Sequence, residues 1–348
     1  MKLLNARRGL LLAAALLSGC NTVVLNPSGD MAAQQGHLLI VATLLMLLII
    51  VPVIALTIFY AWHYRKNNTA AKYEPDWDHS TRLELIIWGA PLLIIIALGT
   101  ITWIGTHTLD PYRKLSRLDA QRPIPANTET LTVEVVALDW KWLFIYPQLG
   151  IATVNEIAAP VDVPIEFKIT ASSIMNSFFI PALAGQIYAM PGMQTRLNAV
   201  INQPGEFDGF SANYSGAGFS DMKFKFHGMT HADFDLWVQK IKAGTETAGV
   251  KVDSKLDRSV YAQLEQPSTR DPIRHFSSVD ADLYHGILNR CLAEGSICMD
   301  EMMTMHHKMS STKGPDAMKL ALLRKNGFVN EICTTAPIAS EGNNVRSN

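Results

Sequence analysis

The chain has 348 residues, a formal net charge of −1 and a hydrophobic content of 48%. This near-neutral charge gives no electrostatic basis for binding nucleic acid, so no nucleic-acid partner is expected. The length allows more than one structural unit. Much of the apolar excess lies before residue 110, which predicts a membrane-embedded N-terminal third followed by a water-soluble remainder.

The first residues have the pattern of an export signal. A basic start precedes an apolar run over residues 10–17, and Ser18-Gly19-Cys20 follows. This order of segments predicts a signal peptide over residues 1–19. The segment also resembles the bacterial lipobox, which implies lipidation of Cys20 and acyl chains that hold the mature N-terminus in the outer face of the inner membrane. The alternative is an ordinary signal peptide with an incidental cysteine.

Two uncharged segments predict two membrane spans. Residues 31–64 contain no Asp, Glu, Lys or Arg, and a span over 37–64 exceeds the ~20 residues needed to cross a bilayer. A second span is predicted over 83–109. Lys and Arg occur in residues 65–82 but not in 21–36, so the positive-inside rule places the 65–82 loop in the cytoplasm. The segment 20–36 and everything after about residue 110 are then periplasmic.

Glu84 lies at the cytoplasmic end of the second predicted span. An ionisable side chain at this depth is either an interfacial residue that reaches water or part of a proton route. The pattern of residues alone leaves both interpretations open.

From Leu131 onward the sequence has the pattern of short strands. Apolar and polar residues alternate from Leu131, aromatic residues are dense over 140–146, and Pro and Gly separate the segments. Further strands are predicted at 163–170, 194–201, 205–212 and 222–226. This spacing predicts an antiparallel β-sandwich or barrel. In the last strand Met222, Phe224 and Phe226 are expected to face the core, and Lys223 and Lys225 to face water.

Three motifs resemble subunit II of the cytochrome c oxidase family. The first is Asp139-Trp140-Lys141-Trp142 followed by Tyr146-Pro147, the second runs over 176–183 and 189–192, and the third is the loop 211–222. The resemblance covers residues 35–240 and implies a two-helix transmembrane hairpin followed by a cupredoxin-like domain over 124–240. The segment 261–278 resembles the tail block of quinol oxidase subunit II. The C-terminal extension, 241–348, is expected to be partly helical or disordered.

The loop Ser211–Met222 has the spacing of the family's Cys-x3-Cys-x3-His-x2-Met copper loop but lacks most of its ligands. Serine hydroxyls cannot replace the bridging thiolates, and a phenylalanine ring offers no donor atom, whereas copper selects sulfur and nitrogen donors. The remaining thioether, that of Met222, is expected to pack in the core. No metal is therefore expected at these positions. The lost copper-ligand positions are Asn176, Ser211, Asn213, Ser215, Phe219 and Met222.

Because it lacks these ligands, the chain resembles subunit II of the bacterial heme-copper quinol oxidases of cytochrome bo type. The resemblance implies a proton-transporting oxidoreductase complex that oxidises ubiquinol and reduces dioxygen, with hemes and copper in partner subunit I and with subunits III and IV as further partners. No cofactor, catalytic residue or cytochrome c partner is expected for this chain, and Glu84 is implied at the mouth of a proton pathway. The alternative is a lipid-anchored periplasmic module, copper-handling or structural, outside an oxidase. The sequence does not separate ubiquinol from menaquinol.

The C-terminal region contains soft metal ligands and three cysteines. The segment 302–309 is rich in Met and His, which indicates either copper capture or a surface helix of accidental composition. Cys291 and Cys298 could close a short disulfide loop in an oxidising compartment. Spacing alone does not choose among the three pairings that include Cys333.

Overall fold

The computed structural model describes residues 22–72, 74, 76–245, 249–293 and 295–311. The predicted signal peptide, Cys20 and Cys333 lie outside these residues. The chain divides into two units, Met1–Leu288 and Asn289–Asn348.

The first unit begins with two long apolar helices, α1 (Asp30–His63) and α2 (Thr81–Thr108). Both are long and apolar enough to cross a membrane by length and composition, and their large apolar side chains are mostly exposed. Helix α1 begins before the predicted span 37–64, because residues 30–35 contain no Pro or Gly and Asp30 supplies an acidic side chain to the first turn. The membrane boundaries of both spans stay predictions.

The two helices pack closely, and the first is fixed to the β-strands that follow. A Cβ atom on Gly105 would lie 2.6 Å from Leu38 Cδ1, so the small residue allows close approach. The amides of Ser28 and Gly29 donate hydrogen bonds to the Ala182 carbonyl oxygen at 3.0 and 2.9 Å. These bonds fix the start of α1 onto the domain that carries the candidate site.

Twelve strands form what we call the β domain, residues 131–276. The strands are β1 Leu131–Leu138, β2 Lys141–Tyr146, β3 Ile151–Val154, β4 Glu156–Pro160, β5 Pro164–Ala171, β6 Asn176–Phe179, β7 Ile187–Ala189, β8 Thr195–Val200, β9 Gly205–Ser211, β10 Lys223–Met229, β11 Lys251–Asp253 and β12 Arg274–Phe276. The helices that follow β10 in the first unit are α3 His231–Lys242, α4 Arg258–Leu264 and α5 Leu283–Leu288. One sheet has the order β11-β12-β3-β2-β1-β5-β8, and the other has the order β4-β10-β9-β6-β7.

The sheets are mixed, whereas the sequence pattern predicted antiparallel pairing. Strand β1 runs parallel to β5, with Val133 opposite Phe167, and β4 runs parallel to β10, with Ala158 opposite His227. The reason is connectivity: strands β2 to β4 intervene between β1 and β5, so these two are joined by a crossover and not by a hairpin. The predicted cupredoxin-like, two-sheet architecture is confirmed.

An aromatic cluster fills the space between the sheets. Trp142, Phe144, Phe178 and Phe224 are buried, and neighbouring ring centroids lie 5.1 to 6.3 Å apart. Such offset and edge contacts add to the free energy gained by burying the rings. The predicted alternation on β10 is confirmed, because Phe224 faces this cluster while Lys223 is exposed.

The sheet continues beyond residue 240, where the sequence predicted an extension that is partly helical or disordered. Strand β12 pairs antiparallel with β3, with His275 opposite Thr153, and β11 pairs parallel with β12. Each strand has three residues, which is too short to show a period-2 pattern in sequence. These strands therefore depend on pairing with the edge of the existing sheet.

The second unit contains a disulfide and the helix α6 (Met299–Ser311). The disulfide joins Cys291 and Cys298, whose Cα atoms lie 4.8 Å apart. This bond settles which of the three possible pairings occurs. The Met/His-rich segment begins one turn into α6.

Candidate functional site

The loop Ser211–Met222, which we call the copper-like loop, is closed by a hydrogen bond between the side chains at two of the lost ligand positions. Ser211 ends β9 and Asn176 begins β6, the neighbouring strand. Ser211 Oγ lies 3.0 Å from Asn176 Oδ1 and 3.2 Å from the Asn213 carbonyl oxygen. Both Ser211 and Asn176 are buried. Buried polar groups require such partners, so these side chains satisfy each other where the copper family places a metal.

The indole ring of Trp140 packs against the copper-like loop and donates a hydrogen bond to it. Its Nε1 donates to the carbonyl oxygen of Ser215 at 3.1 Å, and a Cβ atom on Gly218 would lie 2.4 Å from the indole Cδ2. Gly216 adopts φ +112°, a region that favours glycine. The indole ring and the two glycines therefore fix the course of the loop without a metal.

Phe219 and Met222 occupy the end of the loop. The Phe219 ring packs edge-on against Tyr214, with centroids 5.7 Å apart. Met222 is buried immediately before β10, and its carbonyl oxygen accepts a hydrogen bond from the Ser211 amide at 3.2 Å. The thioether thus lies in the domain core, as the sequence predicted.

The donor atoms at these positions do not fit a dinuclear copper centre. They comprise two hydroxyls, two amides and one buried thioether, with no thiolate and no imidazole. A dinuclear centre needs soft bridging sulfur and nitrogen ligands. The arrangement is a packed polar cluster that preserves the shape of the loop, and we assign no metal chemistry to it.

A buried lysine, not singled out by sequence reasoning, fixes the tail segment to the aromatic strand. Lys141 Nζ donates to the Gln266 carbonyl oxygen at 2.8 Å, forms a short hydrogen bond with Ser268 Oγ and lies 3.2 Å from Asp271 Oδ2. Burial acts to raise the pKa of the Asp271 carboxyl. The hydrogen bond from Ser268 and the charge of Lys141 outweigh this effect, so the pKa lies below its usual value. The sequence signal that could have indicated this contact was the position of Lys141 between two tryptophans in an aromatic strand. A lysine that is buried there requires a partner for its charge.

Two further contacts connect the tail to the loop and to the aromatic strand. Arg270 Nε lies 3.2 Å from Asp221 Oδ2 in the short turn that ends the loop. Asn155 accepts a hydrogen bond from the Trp142 amide and donates to the Asp271 carbonyl oxygen, each at 2.9 Å. The tail therefore braces both the aromatic strand and the copper-like loop.

A buried carboxylate with two imidazoles forms the second polar cluster of the β domain, and sequence reasoning missed this arrangement. Glu156 on β4 forms a short contact with Nε2 of His275 on β12, and its other oxygen lies 3.1 Å from Nε2 of His227 on β10. Burial raises the pKa of the Glu156 carboxyl, but the hydrogen bonds and charges of His227 and His275 outweigh it and lower the pKa to about 2. The His275 ring also packs edge-on against Trp237.

Glu84, the predicted proton-entry residue, lies in the first turn of α2 and is exposed. Its Oε1 lies 2.8 Å from His79 Nδ1, just before the helix. This position agrees with either interpretation made from the sequence, an interfacial residue or a proton route.

Comparisons with known proteins give the class of the chain. Residues 143–228 match the sequence model of the family "Cytochrome C oxidase subunit II, periplasmic domain". Residues 252–295, which include the bracing tail, match "COX Aromatic Rich Motif". The fold and these two matches define a subunit II of the oxidase type with a periplasmic cupredoxin-like domain.

Individual relatives define the family more closely. The chain is 48% identical to cytochrome bo(3) ubiquinol oxidase subunit 2 of Pseudomonas putida, covering 79% of this chain and 82% of that protein. It is 47% identical to the protein of the same name from Pseudomonas aeruginosa, covering 80% and 78%, and 47% identical to ubiquinol oxidase subunit 2 of Acetobacter aceti, covering 81% and 87%. The chain belongs to the family of ubiquinol oxidase subunit 2.

Proposed function

We propose that this chain is the non-redox subunit II of a proton-transporting ubiquinol oxidase complex in the bacterial inner membrane. The observation that carries the proposal is the hydrogen bond between Ser211 and Asn176, which occupies two copper-ligand positions with a satisfied polar pair. Quinol delivers electrons from within the membrane. A periplasmic copper entry centre and a cytochrome c partner are then unnecessary.

The role of the chain is assembly and docking. Its two apolar helices supply a surface for packing on the catalytic subunit I, where the hemes and copper of the complex reside. Arg117 Nε and Nη2 lie 3.0 and 3.1 Å from the Asp30 carboxylate, so the segment between α2 and the β domain is held at the start of α1 by a two-point ion pair. Together with the hydrogen bonds from the Ser28 and Gly29 amides to the Ala182 carbonyl oxygen, this contact gives the domain a fixed position above the membrane.

Several finer features belong to the same proposal. The chain passes the membrane twice, carries a lipid on Cys20 and binds no cofactor itself. Subunits III and IV complete the complex. The loop 65–82 faces the cytoplasm, and the cupredoxin-like domain over 124–240 faces the periplasm, as the distribution of basic residues predicts.

The proposal is tested by purifying the complex through an affinity tag on this chain. We expect the optical spectrum to show heme, the preparation to oxidise ubiquinol, and the absorption of a dinuclear copper centre to be missing. The reason is that redox cofactors reside in the partner, which the two helices retain during purification. A tagged chain that carries copper but no heme and no oxidase activity would favour the alternative, a copper-handling module outside an oxidase.

We propose further that Glu84 admits protons to the complex. Glu84→Ala is then expected to slow steady-state ubiquinol oxidation roughly tenfold, which corresponds to about 1.4 kcal/mol of activation free energy. The matched control is Glu74→Ala, which removes an exposed carboxylate that is ion-paired with Lys72 in the 65–82 loop. Equal turnover of the wild-type and Glu84→Ala complexes at equal heme content would reduce Glu84 to an interfacial residue.

A further inference from the structure

Helix α6 exposes soft metal ligands at helical spacing. Met302, Met305 and His306 occupy positions i, i+3 and i+4, so they lie on one face of the helix. Met302 and Met305 are each 42% exposed, and His306 is also exposed. Met303 is 60% exposed but is rotated about 100° from Met302 around the helix axis.

Packing against the described residues of the second unit does not account for these methionines. Methionine ordinarily fills irregular gaps in a hydrophobic core, where its flexible thioether is shielded from water. On α6 three methionines within four residues retain about half of their surface exposed. Their common property on this surface is the sulfur donor, together with the adjacent imidazole of His306.

The spacing allows three donors to converge on one ion. Side chains at i, i+3 and i+4 have Cβ atoms about 5–6 Å apart, and the unbranched methionine side chain can turn its sulfur toward a shared point. The start of the helix is anchored, because the Met302 amide donates to the Cys298 carbonyl oxygen at 3.0 Å and Cys298 is held by the disulfide. The face is therefore presented from a fixed first turn.

The chemistry of the donors selects the metal. Thioether and imidazole ligands favour monovalent copper, whereas structural zinc sites use thiolate, imidazole and carboxylate. Cys291 and Cys298 are joined in a disulfide, so neither offers a thiolate. We propose that Met302, Met305 and His306 form a binding site for Cu(I) on helix α6. The site is independent of the proposed role in the oxidase, and it lies in sequence beyond residues 252–295, where the family match ends.

The test is a competition for Cu(I) on the full chain in detergent, under anaerobic conditions, with bathocuproine disulfonate as the competing chelator. A Cys333→Ser background removes copper bound by that thiol. We expect the chain to withdraw a single copper ion from the chelator. Met302→Leu/Met305→Leu should weaken this binding by about tenfold or more, because leucine keeps the size and helix propensity but removes the sulfur.

The control is Met303→Leu, which removes an exposed sulfur that lies off the proposed face and should leave copper affinity unchanged. The copper K-edge absorption spectrum should show sulfur neighbours in the unsubstituted chain and lose them in the double variant. Equal copper withdrawal by the unsubstituted chain and the double variant would overturn the proposal, and the exposed face would then be an apolar contact surface. An equal loss of affinity from Met303→Leu would also overturn the assignment of ligands.

Discussion

Glu156→Gln is expected to lower the free energy of unfolding of the β domain by about 3 kcal/mol at pH 7 and to remove the part of its acid sensitivity that this carboxyl contributes. The Glu156 carboxyl has a pKa of about 2 in the folded protein, below its usual value of 4.5. Stability from this group is therefore fully present above pH 4.5 and is lost as the pH falls toward 2. Glutamine keeps the shape but removes the charge that His227 and His275 stabilise.

The measurement is equilibrium urea unfolding of the full chain in detergent at several pH values, followed by near-ultraviolet circular dichroism of the aromatic core. The difference between wild type and variant should shrink as the pH falls, because protonation removes the same charge in the wild type. The control is Glu166→Gln, whose partner Arg196 lies 3.8 Å away at the surface, and its effect should stay within about 0.5 kcal/mol. A Glu156→Gln chain with wild-type stability at pH 7 would contradict the role given to this cluster.

Restoring the copper family's residues at five of the six ligand positions should convert the copper-like loop into a metal centre. We expect a chain carrying Asn176→His, Ser211→Cys, Asn213→Glu, Ser215→Cys and Phe219→His to bind two copper ions more than the unsubstituted chain and to become purple. The backbone supports this result. Trp140 and the loop glycines hold its course, positions 176 and 211 are already 3.0 Å apart through their side-chain oxygens, and Met222 is in place.

The matched control omits Ser215→Cys and keeps the other four substitutions. With only one of the two bridging thiolates, this chain should not form the purple dinuclear centre. Copper stoichiometry and the visible absorption spectrum distinguish the two chains. A folded five-fold variant that remains colourless with copper would show that the loop geometry has departed from that of the copper-bearing family.

The contacts of the tail segment with the rest of the β domain were not predicted from the sequence. Residues 266–276 contribute Asp271 to buried Lys141, Arg270 to the loop and His275 to Glu156. Each pair joins residues more than forty positions apart in the sequence. This segment lies within the match to the aromatic-rich family motif and contacts both the aromatic strand and the copper-like loop.

Patterns among neighbouring residues in the sequence were sufficient to predict part of this fold. The uncharged runs over residues 31–64 and 85–109 predict the two apolar helices, because a bilayer requires about 20 apolar residues for each span. Alternation over residues 131–137 and 222–226 predicts strands, because a half-buried strand has a period of two. These patterns depend only on neighbouring residues, so the sequence contains them directly.

The sequence by itself determined the apolar helices, the strands around the aromatic core and the absence of thiolate and imidazole at the copper positions. Residue identity decides each of these features. Only the tertiary structure decided the parallel β1–β5 pairing, the addition of β11 and β12, the Cys291–Cys298 bond and the cluster around Glu156. These depend on which distant segments meet, and contact between distant residues leaves no periodic pattern in one chain. The Ser211–Asn176 hydrogen bond combines both: the sequence supplied the substitutions, and the fold brought them together.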